Sequence, residues 1–117
     1  MRVIIAGGRD FNDYNRLKRN VTHKLSNIAH EDITIVCGEA RGADSLGKQL
    51  AIEMGWEVAS YPADWDKWGK AAGYKRNEQM AQNADALIAF WDGTSRGTMH
   101  MISSAKKYNL KVQVYTY

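Results

Sequence analysis

Residues 86–98, "ALIAFWDGTSRGT", join six consecutive apolar residues to a short polar loop that contains two glycines. A continuous apolar run of this length, bounded by a turn, is typical of a strand buried on both faces of a parallel sheet. In the residues that follow, Thr98, Ile102 and Ala105 recur at helical spacing. This stretch therefore predicts a strand that leads through a glycine-rich loop into a helix.

The same alternation of strand and helix patterns recurs along the whole chain. Predicted strands cover 3–6, 33–37, 57–61, 86–91 and 111–115, and predicted helices cover 12–29, 43–54, 74–83 and 97–108. We expect Asn12 to cap the first helix and Gly55 to end the second. Right-handed crossovers between such strands build a Rossmann-like three-layer αβα sandwich, of class α/β, with a mainly parallel five-stranded sheet. We expect a single domain over 1–117 and the strand order 3-2-1-4-5.

The composition is that of an ordinary globular chain: 117 residues, 44% hydrophobic and 25% charged. The longest apolar run, 86–91, is too short to cross a bilayer, and the N-terminal residues lack the apolar core of a signal peptide. The single cysteine, Cys37, cannot form an internal disulfide, which agrees with a reducing compartment. We therefore expect a cytoplasmic protein with no membrane partner.

The loops that follow the predicted strands concentrate glycine and arginine at one edge of the sheet, where such folds bind ligands. Glycine lets the backbone approach a ligand, while helix N-termini and arginine bind phosphate. The candidate ligand-binding residues in these loops are Gly7, Gly8, Arg9, Asp10, Gly38, Arg41, Gly42, Ala43, Trp65, Gly93, Ser95, Arg96, Gly97 and Thr98. Trp65 is a candidate for stacking on a base. These loops predict a site for an anionic, phosphorylated small molecule.

Other classes of site lack their sequence signals. Neither the phosphate-binding loop of nucleoside triphosphatases nor the dinucleotide-binding glycine fingerprint is present, which argues against a kinase or a dinucleotide-dependent oxidoreductase. The histidines His23, His30 and His100 show no metal-ligand spacing. We expect no cofactor and no metal. The net charge of +3 is a weak argument for nucleic acid.

Four segments carry a resemblance to a known family: "GGRDF" (7–11), "CGEARGADSLGKQLA" (37–51), "YPADWDKWGKAAGYKRNEQM" (61–80) and "FWDGTSRGTMHMISSAKK" (90–107). In this order they resemble the YspA-like (cpYpsA-related) branch of the SLOG superfamily, which is related to the LOG phosphoribohydrolases and DprA. The resemblance implies a Rossmann-like fold and ligands that are nucleotides or derived from nucleotides.

The resemblance also implies roles for single residues. The hydrolases carry a loop of the form GGxGTxxE with a catalytic glutamate; Gly97-Thr98 match its GT, and Met101 stands at the glutamate position. Methionine cannot transfer a proton, so binding is expected and catalysis is in doubt. Arg76 resembles an arginine on the preceding helix of the hydrolases, and with Asn77 it joins the candidate ligand-binding residues.

Three functions remain open at this point. The first is a non-catalytic module that senses or sequesters a nucleotide-derived ligand. The second is an enzyme of the nucleoside monophosphate N-glycosidase type, with Glu39 or Asp44 as the candidate catalytic acid or base. The third is DprA-like nucleic-acid binding, which the mild charge disfavours. We also expect a homodimer, with Met99, Met101 and Tyr108 on the last helix as part of its surface.

Overall fold

The computed structural model describes residues 1–117 as strands that alternate with helices. In chain order the elements are β1 (Arg2–Gly7), α1 (Tyr14–Lys24), β2 (Thr34–Cys37), α2 (Ala43–Met54), β3 (Glu57–Ser60), α3 (Trp65–Trp68), α4 (Ala72–Gln82), β4 (Ala86–Trp91), α5 (Arg96–Lys107) and β5 (Lys111–Thr116). Short 3₁₀ turns occur at His30–Asp32 and Gly69–Ala71. The five strands form one sheet in the order β3-β2-β1-β4-β5, and all neighbouring strands are parallel. The predicted fold class and strand order are confirmed.

Each face of the sheet is covered by helices, with a hydrophobic core between. Successive residues of β1 point to opposite faces because the side-chain period of a strand is two. Ile5 accordingly packs with Leu17 of α1 and Leu50 of α2. Its neighbour Ile4 packs with residues of α4 and α5, among them Met80. These side chains are almost fully buried, and each contributes about 1.5–3 kcal/mol by leaving water.

The central position of β1 in the sheet determines where the glycine-rich loops meet. β1 pairs with β2 on one side, where Ile4 lies opposite Val36, and with β4 on the other side, where Gly7 lies opposite Phe90. Because all strands run in the same direction, the loops that follow β1, β2 and β4 leave the sheet at the same edge. The carboxyl edge of these three strands therefore collects the glycine-rich loops.

The first helix is shorter than the sequence predicts. The first spans Tyr14–Lys24 rather than 12–29, and Asp13, not Asn12, caps it by accepting a hydrogen bond of 3.0 Å from the Arg16 amide. The apolar residues Leu25 and Ile28 still reach the core, but from a turn, which is why their spacing extended the predicted helix.

The tryptophan-rich segment after β3 is more ordered than predicted. Trp65 lies in the one-turn helix α3, which Asp64 caps through the Lys67 amide at 3.1 Å. The next helix, α4, begins at Ala72, two residues before the predicted start.

The second helix matches its prediction. As expected, α2 ends at Gly55, whose φ of +73° is left-handed.

Candidate functional site

A cleft of about 230 Å³ opens at the carboxyl edge of the sheet, between the end of β1, the loop after β4 and the first turns of α4 and α5. Nine of its lining residues were candidates from the sequence: Gly7, Arg9, Asp44, Trp65, Arg76, Asn77, Ser95, Gly97 and Thr98. Six were not: Ala6, Ala40, Lys70, Gly73, Tyr74 and Met101. Three cationic side chains and one carboxyl group line the cleft, so its charge favours an anion.

Close packing of loops explains most of the glycines in the first two loops. A Cβ on Gly7 would lie 2.2 Å from the Phe90 carbonyl oxygen, and a Cβ on Gly42 would lie 2.1 Å from the Gly8 carbonyl oxygen. The same Gly8 carbonyl accepts hydrogen bonds from the amides of Phe11 and Ala43. Ala43 is fully buried. Gly8, Gly42 and Ala43 therefore shape the backbone around the cleft and do not line it.

The side chain of Asp10 lies outside the cleft lining, where it anchors the loop after β1. It accepts a hydrogen bond of 2.6 Å from the Tyr117 hydroxyl, and the Tyr117 ring packs edge-on against Phe11, with 4.9 Å between ring centroids. Burial and the Asp10 carboxylate raise the pKa of Tyr117. No local sequence signal marks this contact, because 107 residues separate its partners. Tyr117 thus holds the loop that carries Arg9.

Arg76 of α4 reaches across the cleft edge to the loop after β2. Its Nη1 donates a hydrogen bond to the backbone oxygen of Gly38, and its Nε donates to Asn77 at 3.1 Å. Burial lowers the pKa of Arg76, and the charge of Arg9 lowers it further, while Asp44 opposes both effects. The guanidinium is therefore close to a second cation, an arrangement that favours an anionic ligand between them.

Asn77 connects α4 to the first turn of α5. Its side-chain nitrogen lies 3.3 Å from the Gly97 carbonyl oxygen and 3.2 Å from Nδ1 of His100. Asn77 is buried, and His100 also stacks against Tyr74 at 4.4 Å. His100 itself is outside the cleft lining, and burial lowers its pKa. This network fixes the helix ends on both sides of the cleft.

The loop after β4 presents the N-terminus of α5 to the cleft. Ser95 caps the helix, with its hydroxyl oxygen 3.5 Å from the Thr98 amide and 3.2 Å from the Thr98 hydroxyl. A Cβ added at Gly97 would meet no atom within 4 Å, so the space above this residue is open. The first turn of α5 contains no acidic residue. Backbone N–H groups at a helix N-terminus have no partner within the helix and lie at the positive end of its dipole. A phosphate group fits this arrangement.

Gly93 and Arg96, which the sequence also placed at the ligand, are exposed and outside the lining of the cleft. The φ of Gly93 is +88°, so its glycine is required by the turn. Asp92 stabilises the same turn by accepting hydrogen bonds from the amides of Thr94 and Ser95 at 2.9 and 2.8 Å, which lower its pKa.

The two candidate catalytic carboxylates lie in different environments. Asp44 is buried at the cleft, and burial raises its pKa to about 6 against the opposing effects of Arg76 and the backbone amides of Gly38, Gly7 and Ala40. The Gly38 amide donates to it at 3.3 Å. Asp44 therefore ties the loops after β1 and β2 together and can exchange a proton near neutral pH.

Glu39 faces away from the main cleft. Its carboxylate pairs with Lys48 at 2.9 Å, and hydrogen bonds from Ser60 and Lys48 lower its pKa. The φ of Glu39 is +61°, an uncommon conformation for a residue with a side chain. Glu39 is thus held as an ion beside Lys48.

A second hollow, of about 270 Å³, adjoins the cleft. It is lined by Arg9, Gly38, Glu39, Ala40, Arg41, Pro62, Ala63, Trp65 and Arg76. The predicted residues Gly38 and Arg41 thus line this hollow and not the main cleft. Trp65 borders both cavities, and 54% of its surface is exposed.

Some of the lining residues that the sequence analysis missed could have been found from their sequence positions relative to Arg76. Gly73 lies three residues before Arg76 and four before Asn77, so all three share one face of α4. Lys70 and Tyr74 stand beside them in the segment "KAAGYKRN". Met101 is 1% exposed and belongs to the core as well as to the cleft floor. It is therefore not available for the dimer surface predicted for it.

Two further findings concern the chain as a whole. No helix is both long enough and apolar enough to cross a membrane. No three histidine, cysteine, aspartate or glutamate side chains come together as a metal ion would require.

Comparisons with known proteins agree with this architecture. The family model YAcAr, described as the YspA, cpYpsA-related SLOG family, matches residues 1–68. Gene 61 protein of Mycobacterium phage D29 is 35% identical over 120 residues, which cover 95% of this chain and 93% of that protein. The structure of DNA processing protein A (DprA) from Streptococcus pneumoniae superposes on 97% of this chain with a TM-score of 0.73 and 15% identity. The chain spans about half of that structure, at 49%, and the likeness concerns the fold.

Proposed function

The chain belongs to the YspA, cpYpsA-related SLOG family, and we propose that its cleft binds a nucleotide or a nucleotide-derived phosphorylated small molecule. The observation that carries this proposal is the meeting of two phosphate-binding features in one cleft. The first turn of α5, with Ser95, Gly97 and Thr98, faces the same space as the guanidinium of Arg76. Backbone amides and a planar guanidinium are complementary to phosphate oxygens.

The remaining lining residues suit the rest of such a ligand. Trp65 and Tyr74 are large exposed aromatic side chains at the rim, and either ring offers a face to a base. Lys70 and Arg9 add positive charge at the mouth of the cleft. We infer that the phosphate lies at α5 and that the base lies toward the aromatic rim.

We propose binding rather than turnover, in a role of sensing or sequestering the ligand. Met101, at the position of the hydrolase glutamate, lines the cleft floor and offers no proton-transfer group. Asp44 accepts a hydrogen bond from the Gly38 amide, and the backbone of Gly7 and Ala40 also lowers its pKa, which indicates a structural role.

A thermal-shift panel of nucleoside mono-, di- and triphosphates, ADP-ribose and cyclic nucleotides tests the proposal. A ligand at 100 times its dissociation constant stabilises the folded chain by about 2.7 kcal/mol. We expect at least one clear shift that Arg76→Ala reduces and that Arg19→Ala, at an exposed position of α1, retains. A flat panel would contradict a nucleotide site.

One observation favours a second candidate, an N-glycosidase of nucleoside monophosphates. Asp44 is a cleft carboxyl group whose pKa is about 6, a value suited to a general acid or base near neutral pH. Release of free base, measured by chromatography and lost in Asp44→Asn with binding retained, would support this enzyme. Binding without release over the panel would support the non-catalytic module.

We also propose that the chain forms a homodimer through α5. Met99 on this helix is a large apolar side chain that is 46% exposed, and Tyr108 follows the helix in a half-buried position. Sedimentation analysis at micromolar concentration tests the assembly, with Met99→Glu expected to dissociate it. A single-chain mass for the wild type would exclude the dimer.

A further inference from the structure

We propose that the second hollow receives one half of the same ligand, so that the preferred ligand has two nucleoside-like halves joined by an anionic bridge. This inference rests on the proposed function and names its ligand class. The bridge would extend from the first turn of α5 to the boundary of the two cavities, between Arg9 and Arg76. One nucleoside-like half would occupy the cleft toward its aromatic rim, and the other would occupy the hollow beside Arg41.

The sizes and the contact of the two cavities support a divided ligand. The cleft measures about 230 Å³ and the hollow about 270 Å³. Small-molecule sites usually measure about 300–1,000 Å³, so neither cavity alone reaches this range, whereas the two joined fall within it. Arg9, Ala40, Trp65 and Arg76 line both cavities and therefore form their common boundary.

The positive charge at this boundary favours an anion. Both Arg9 and Arg76 line each cavity, so their like charges repel. Burial is the main cause of the lowered pKa of Arg76, and the charge of Arg9 lowers that pKa further. The neighbouring carboxyl group, Asp44, is buried and engaged by backbone amides, so it is not free to bridge the two guanidinium groups. A diphosphate has oxygens for two guanidinium groups at once and relieves their repulsion.

The walls of the second hollow suit a nucleoside. Pro62, Ala63 and Trp65 contribute apolar surface to its lining, against which a planar ring can pack. Arg41 adds an exposed guanidinium to the same lining. The acidic lining residue, Glu39, is paired with Lys48 and therefore repels an anionic ligand only weakly.

Calorimetric titration of the full chain with matched ligands tests the proposal. Each of AMP, GMP, CMP and UMP is compared with the dinucleoside diphosphate of the same base. We expect one dinucleoside diphosphate to bind at least about tenfold more tightly than its mononucleotide, a difference of about 1.4 kcal/mol. Arg41→Ala and Ala63→Phe should remove this advantage, while Arg19→Ala should preserve it.

The outcomes separate this inference from the proposed function. Mononucleotide binding with no gain for any dinucleoside diphosphate overturns the divided ligand but leaves the nucleotide site intact. A gain that survives both Arg41→Ala and Ala63→Phe also overturns it, because the second half would then bind elsewhere. Absence of binding by all eight probes overturns the divided ligand, and the wider thermal-shift panel then decides whether the cleft is a nucleotide site. If Ala63→Phe fails to fold, Arg41→Ala on the exposed loop still decides the case.

Discussion

The Arg76 guanidinium occupies the space that a side chain at Gly38 would fill. A Cβ built on Gly38 would lie 2.6 Å from Nη1 of Arg76 and 2.8 Å from its Cζ, and Nη1 donates a hydrogen bond to the Gly38 carbonyl oxygen. The glycine after β2 therefore makes room for an arginine that is 38 positions away in the chain. The position of the cationic group in the cleft depends on this pairing.

We predict that Gly38→Ala displaces the guanidinium and weakens ligand binding about tenfold, or 1.4 kcal/mol. The stability should fall by only about 1 kcal/mol, because the displaced group is the end of a flexible side chain that loses one hydrogen bond. Calorimetry and urea denaturation measure the two effects. In an Arg76→Ala background, Gly38→Ala should have no further effect on affinity; additive losses would show that the two residues act independently.

Gly97→Asp is expected to abolish binding of phosphorylated ligands without loss of stability. The substitution meets no atom within 4 Å, and an acidic residue in the first helical turn is favourable for the helix dipole. It also places a negative charge where the ligand phosphate is proposed to lie. Asn15→Asp, in the first turn of α1 and away from the cleft, is the matched control and should bind normally. Equal binding by both variants would contradict the proposed position of the phosphate at α5.

Periodicity and loop composition were sufficient to predict the sheet and its strand order. The apolar runs of β1 and β4 are typical of strands buried in a parallel sheet, and the glycine-rich ends of these strands then converge at one edge. The cleft follows from that edge, which is why Gly7, Arg9 and Gly97 were found from the sequence.

The sequence could not distinguish glycines that border the cleft from glycines that pack against the protein itself. Gly8 and Gly42 were candidates on the same grounds as Gly97, but Gly8 packs against the Tyr117 and Asp10 side chains, and Gly42 packs against the backbone of the loop after β1. Only the tertiary structure reveals these contacts. The hydrogen bond from Tyr117 to Asp10 could not be predicted from the sequence either, since neither residue type nor local spacing indicates the partner of Tyr117.

A comparison of two alanine substitutions tests the structural role of Gly42. Gly42 has φ +78° and ψ −129°, a conformation essentially restricted to glycine, and its Cβ would approach the Gly8 carbonyl oxygen. Gly55 has φ +73° but open space around it. We expect Gly55→Ala to cost about 1–2 kcal/mol from the left-handed backbone alone. Gly42→Ala should cost about 1–3 kcal/mol more from overpacking, as measured by urea denaturation. Equal losses of unfolding free energy in the two variants would show that the loops after β1 and β2 can separate without cost to accommodate the added Cβ.

Asp44 should make the stability of the fold depend on pH in a direction opposite to that of a salt-bridged carboxylate. Its pKa is raised from 3.8 to about 6, mainly by burial, so the folded state favours the protonated form. Between these two values the folded chain holds a proton that the unfolded chain has released, and the stability contribution is therefore lost as the pH rises from about 4 to about 6. The size of the pKa rise corresponds to roughly 3 kcal/mol.

The measurement is urea denaturation of wild type and Asp44→Asn at several pH values. Other carboxyl groups titrate in the same range, so the relevant quantity is the difference in unfolding free energy between the two proteins. That difference should move against the wild type as the pH rises from about 4 to about 6 and remain constant above this range. A difference that moves in favour of the wild type would mean that Arg76 and the backbone amides outweigh burial. Asp44 would then be a fixed anion at the cleft, which would remove the basis for its role as a general acid.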